Sequence, residues 1–134
     1  MTDMNESLIA RIDALVTKLG AATEGDWDLS AEVLTVFGWA VDWSEQRTPG
    51  GTILRAPEEY VLPTDSIDDA LTLMPKGWRL WDLWDRTWAD GGNWQCGVDK
   101  ASEDLDAWGE AKTAPLAVCI AVLLAYRSAL VSRG

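Results

Sequence analysis

Histidine is absent from this 134-residue chain, and that single gap removes much chemistry. No Ser-His-Asp or Cys-His pair can form, and no histidine zinc site can form within one copy. Only two cysteines are present, Cys96 and Cys119, too few for a structural zinc site or a disulfide framework. No glycine-rich phosphate loop occurs, because Gly50-Gly51 and Gly91-Gly92 read as turns. The start, MTDMNES, has no basic segment followed by an apolar one, so no secretory signal is expected there. Basic residues are scarce, 11 against 22 acidic, for a net charge of −11. That balance keeps a protein soluble and repels nucleic acid and anionic lipid. The expectation is a cytoplasmic protein with no cofactor, no metal, no membrane and no direct nucleic-acid contact. Both thiols are expected to be packed in a reducing compartment.

Apolar residues are plentiful. They make up 48% of the chain, ample for one domain over residues 1–134 at a length where roughly two-thirds of the unfolded surface can be buried. Leu8, Ile9, Ile12, Leu15, Val16 and Leu19 recur at helical spacing and predict an amphipathic helix over 5–19, closed by Gly20, as a peripheral addition. Leu29 to Phe37 reads as a second helix ending at Gly38, and Trp39 to Trp43 alternates as a strand. Thr48-Pro49-Gly50-Gly51 signals a turn, with Thr52 to Ala56 a weak returning strand. Ser66 to Met74 predicts a third helix, capped by Asp65 or Ser66 and stopped by Pro75. Ala114 to Val131 predicts a buried core helix with Thr113 as cap and Pro115 in its first turn. Its continuous apolar run, Leu116 to Tyr126, is too short to cross a bilayer. Ala117, Ala121 and Ala125 give it a smooth stripe for close approach.

Four tryptophans, at 78, 81, 84 and 88, fall within eleven residues. As a helix the segment would gather Trp81, Trp84 and Trp88 on one face. As a strand it would send Trp78, Leu80, Asp82 and Trp84 one way and Arg79, Trp81, Leu83 and Asp85 the other. The strand is favoured, because aromatic residues suit a pleated surface and Ala89 to Asn93 resembles a hairpin loop leading to Trp94–Val98. Asp99 to Asp106 then reads as a solvated loop, with Trp108 to Thr113 as a last strand.

Several segments, in order, resemble the phage ABA-sandwich domain, a family of small phage and prophage proteins. They are Gly38-Trp39, Ser66-Ile67-Asp68-Asp69-Ala70-Leu71, Pro75-Lys76-Gly77-Trp78, Trp108-Gly109 and the alanine-rich C-terminal helix with Cys119. The resemblance implies an α+β fold, an α-β-α sandwich with a small antiparallel sheet and helices on both faces. It implies no catalytic residue.

Two functional expectations follow. In the first, a non-enzymatic phage or prophage accessory protein binds a host protein through Asp99, Glu103, Asp104, Asp106 and Glu110, where spaced carboxylates imitate a phosphate backbone. The partner would carry a basic, nucleic-acid-binding surface and could belong to an antiviral defence complex. All the acidic residues lie in the first 113 positions, so the negative charge is one-sided. In the second, Trp84, Trp88 and Trp94 stack on a sugar or nucleotide. Trp39, Trp78 and Trp108 are expected to pack as structural residues. Asp82 and Asp85 lie beside tryptophans as glycosidase carboxylates do. On a strand they point to opposite faces, and pairing with Arg79 and Arg86 or plain solvation is the expected state.

Overall fold

The acid-free apolar run near the C terminus is the axis around which the chain folds. The computed structural model describes residues 2–88 and 92–133. Helix α1 spans Thr2–Ala21 and α2 Trp27–Val36; strands β1 (Ala40–Asp42), β2 (Glu45–Arg47) and β3 (Ile53–Leu54) follow. A short helix, α3 (Ile67–Leu71), precedes strands β4 (Arg79–Asp85), β5 (Trp94–Lys100) and β6 (Leu105–Ala111), and α4 (Ala114–Arg133) closes the chain. The strands form two antiparallel sheets, β1-β2-β3 and β4-β5-β6. The fold class is α+β, as expected; the antiparallel strands divide into two small sheets, and among the described residues the helices gather on one face of β4-β5-β6 rather than on both.

From Leu116 to Leu123 helix α4 is apolar on every side because that stretch is covered on every side. Leu116, Ala117, Val118, Cys119, Ala121, Val122, Leu123 and Ala125 are all buried. Its alanine stripe lies against β6, where a Cβ on Gly109 would come within 2.4 Å of the Ala117 carbonyl oxygen and 2.7 Å of the Ala121 nitrogen. Only glycine permits that approach. On another side α1 packs against it, and Ile12, Leu15 and Leu19 join the same core. Helix α1 is thus an integral layer, and it runs on through Gly20. An Arg127–Asp13 ion pair at 2.8 Å clips the two helices on the outside.

Polar side chains pin the connecting segments. Asp26 caps α2 by accepting from the Leu29 amide at 2.7 Å, and Ser66 caps α3 by accepting from the Asp69 amide. Thr64 is buried, sharing a 2.6 Å hydrogen bond with the Ser30 hydroxyl and donating to the Asp26 carbonyl. The buried Gln46 amide works as a short strand, donating to the Val61 carbonyl and accepting from the Val61 amide. Strand β2 itself, Glu-Gln-Arg, carries no apolar alternation and was not expected from sequence; the Gln46–Val61 bonds show what holds it.

The expected hairpin of β4 and β5 is present. Of its linking residues, Ala89, Asp90 and Gly91 lie outside the described residues. Two expectations around it need correction. The segment Asp99–Asp106 is not one solvated loop: Asp99 and Lys100 end β5, Leu105 and Asp106 begin β6, and Asp99 registers directly with Asp106. Ala101–Glu103 makes a single 3-10 turn, and Asp104 completes the reversal in the left-handed region at φ 54°, a conformation aspartate tolerates. The second correction is the facing of β4. A β-bulge between Leu80 and Asp82 breaks the simple alternation. Leu80 and Leu83 both pack on the core, while Arg79, Asp82 and Trp84 share the opposite side with their partners Asp99, Gly97 and Gln95, and the unpaired bulge residue Trp81 leans over Gly97 on that side.

Candidate functional site

One face of the β4-β5-β6 sheet rests on α4, and among the described residues no helix packs over the other. That outer face is ordered in rows set by strand register. Arg79, Asp99 and Asp106 form the first; the bulge (Trp81 and Asp82), Gly97 and Trp108 form the second; Trp84, Gln95 and Glu110 form the third. A continuous α4-side stripe of Cys96, Val98, Ala107, Gly109 and Ala111 leaves these residues no other direction, since side chains alternate along a strand.

Gly97 lies at the centre of the face. A Cβ there would lie 2.9 Å from the Trp108 ring and 3.1 Å from Trp81 Nε1. The missing side chain lets both indoles lean over β5 and meet edge to face, with centroids 4.9 Å apart and planes at 84°. Trp108 also directs its Nε1 toward Asp106 Oδ2 at 3.4 Å. Trp81 and Trp84 remain 49% and 52% exposed, a large apolar area to leave in water. The Arg86 guanidinium lies 5.3 Å from the Trp84 ring centroid and reaches Gln95 Oε1 at 3.4 Å.

The expected acidic residues divide. Asp99, Asp106 and Glu110 share the outer face, and Asp104 joins them at the rim of a cleft of about 370 Å³ lined by Trp81, Asp99, Ala101, Asp104, Leu105 and Asp106. Asp99 is bound to Arg79 at 2.9 Å, and their hydrogen bond raises the guanidinium's pKa above its ordinary value. Glu103 is paired with Lys100 and so is partly neutralised. Asp82 and Asp85 are not paired with Arg79 and Arg86. Asp85 instead accepts from the Thr87 hydroxyl and amide, and these bonds lower its pKa. A second acidic spot, missed from sequence, lies where Glu24, Asp26 and Asp65 converge; desolvation, then repulsion from Asp26 and Glu24, raises the Asp65 pKa.

The tryptophans proposed for ligand stacking are not brought together. Trp84 registers with Gln95 on the outer face, whereas Trp94 is on the α4 side and packs on the core. Trp88 follows β4 and is 76% exposed. Trp81 and Trp108, which sequence reading assigned to no site, form the aromatic centre instead. Trp78 is buried as expected. Both cysteines are buried and free; burial pushes the Cys96 thiol up to about 12 and raises Cys119 further. Among the described residues no group of three or more cysteine, aspartate and glutamate side chains is placed to hold a metal ion.

No protein-family model, curated protein or solved structure matches this chain.

Proposed function

We propose that this chain is a non-enzymatic accessory protein of phage or prophage origin that binds a host protein through the outer face of its β4-β5-β6 sheet. The observation that carries the reading is the coincidence, on one uncovered sheet face, of exposed indoles with Asp99, Asp104, Asp106 and Glu110. Indoles supply contact area that is best removed from water, and carboxylates select a cationic surface and speed its approach. The net charge of −11 acts in the same direction over a longer range. A basic surface built to bind nucleic acid is the natural complement, and covering it would disable its owner. An antiviral defence complex is the host target this reading favours. The phage setting rests on the sequence resemblance alone.

The test is capture from bacterial host lysate by the immobilised protein at low and high salt, beside a variant carrying Asp99→Asn, Asp104→Asn, Asp106→Asn and Glu110→Gln. The wild type should retain a cationic protein at low salt and release it at high salt, and the variant should retain little. Equal retention by both would refute the reading. The small-ligand alternative loses its clamp, because Trp84 and Trp94 lie on opposite sides of the sheet.

A further inference from the structure

We propose that the outer face reads arginine: a guanidinium from the partner enters the cleft beside Trp81, lies against the indole and hydrogen-bonds the carboxylates that rim it. This rests on the binding face proposed above and names the chemistry that the face selects. Four observations lead to it. The first is fit. The cleft of about 370 Å³ has an aromatic wall, Trp81, and carboxylates on Asp99, Asp104 and Asp106. A guanidinium is the cation that presents a flat face to a ring and a fork of N–H donors to a carboxylate at once.

The second is preorganisation. Trp81 is wedged edge to face on Trp108 above the bare backbone of Gly97, so its ring has little rotamer freedom left to lose when a ligand arrives. The third is unrelieved charge. Asp99 and Asp106 oppose each other directly on adjacent strands, an arrangement that repels. Arg79 relieves it from the β4 side only, and neither Asp104 nor Asp106 has an ion pair among the described residues. A cation entering from the β6 side completes the row. The fourth is a precedent within the molecule. Two positions along the same face, Arg86 already lies over the Trp84 ring while bonding a side-chain oxygen. A second copy of this chain does not suit the face, because two surfaces of the same negative sign would meet.

The experiment uses the full chain with fluorescently labelled nona-arginine and nona-lysine peptides, equal in length and charge, at about 50 and about 500 mM salt. Nona-arginine should bind on the order of tenfold more tightly than nona-lysine, since lysine offers a point charge without a stacking plane. Trp81→Ala should bring the two affinities to within about twofold, whereas Trp43→Ala, which removes an indole exposed between β1 and β2 and outside this face, should leave the preference in place. Should Trp81→Ala lose its fold by circular dichroism, Trp81→Phe serves, with the arginine preference reduced and still present. Equal binding of both peptides by the wild type, or a preference that survives Trp81→Ala, overturns the arginine proposal. If that equal binding also weakens steeply with salt, the basic-partner reading stands without it. If neither peptide binds, the arginine proposal falls, and unchanged lysate capture by the neutralised variant would take the basic-partner reading with it.

Discussion

Replacing Gly109 by alanine adds one methyl group and should be among the most damaging small substitutions this protein can receive. The new Cβ would sit 2.4 Å from the Ala117 carbonyl oxygen, 2.7 Å from the Ala121 nitrogen and 2.9 Å from the Ile120 Cβ. Two of those three neighbours are helix backbone, which cannot turn aside as a flexible side chain does. Ordinary contact begins near 3.4 Å, so α4 and β6 must separate locally by something approaching 1 Å. A gap of that size forfeits a quarter to a half of each dispersion contact across the interface. The interface includes Ala107, Ala111, Cys96 and Val98 on the sheet and Ala117, Ile120 and Ala121 on the helix, all buried.

Overpacking of this kind costs about 1–3 kcal/mol and sometimes more, and backbone neighbours place Gly109→Ala at the upper end. Loss of glycine's freedom in the unfolded chain offsets roughly 0.4–1 kcal/mol. The net expectation is a destabilisation of about 2–3 kcal/mol, a large part of the roughly 5–15 kcal/mol that holds a domain of this size. Gly20→Ala is the control, because nothing lies within 4 Å of its Cβ position in α1. That change should stabilise by about 0.5–1 kcal/mol. Urea denaturation followed by tryptophan fluorescence reads both, with equal slopes required for comparison. A Gly109→Ala midpoint equal to the wild type, or the same loss in both variants, would refute the close contact of α4 with β6.

Ala121→Leu tests the same interface from the helix side; Ala121 is fully buried, and the larger side chain should cost about 1–3 kcal/mol in the same denaturation assay. The thiols give a pH test. Because Cys96 is raised to about 12 and Cys119 is raised by burial, their contribution to stability is intact below the unfolded thiol range. It is lost as pH climbs from about 9 toward 12, since only the unfolded state ionises there. Thermal melts should therefore fall across that window, less so in Cys96→Ala measured against its own value at pH 8. At pH 8 neither thiol of the folded protein should react with a disulfide reagent until urea opens the core, and rapid labelling of the native state would contradict their burial.

The helices were legible because each combines an apolar period with end signals that act locally. Ser66 caps where a short polar side chain precedes an apolar run, and Pro115 enters α4 at a position that needs no amide; the Asp26 cap, and with it the start of α2 at Trp27 rather than Leu29, was not read. The β4–β5 hairpin was legible from aromatic alternation and glycine. Strand β2 was not, because Glu45, Gln46 and Arg47 carry no apolar signal; their order comes from the Gln46 side chain bonding Val61, fifteen residues away. The early start of β6 was hidden by its acidity. Leu105 and Asp106 continue a run of charges that reads as loop, and only pairing with Asp99 and Lys100 makes them strand.

The candidate site was half legible, and the missing half has one cause. Strict alternation along β4 assigns Trp81 and Trp84 to opposite faces, so no aromatic surface emerges from the sequence. The bulge between Leu80 and Asp82 changes the phase by one residue and brings both indoles to the outer side. The same shift sends Leu80 and Leu83 together into the core, which is why the bulge is stable: both leucines reach apolar neighbours that an unbroken strand would offer to only one. Gly97 then opens the space that lets Trp81 reach Trp108. A bulge on one strand and a glycine on the next thus convert an acidic stretch and a tryptophan stretch, separate in sequence, into a single face. Deleting the bulge should expose Leu83 or bury Trp84, so the core and the exposed outer face are set by the same residue.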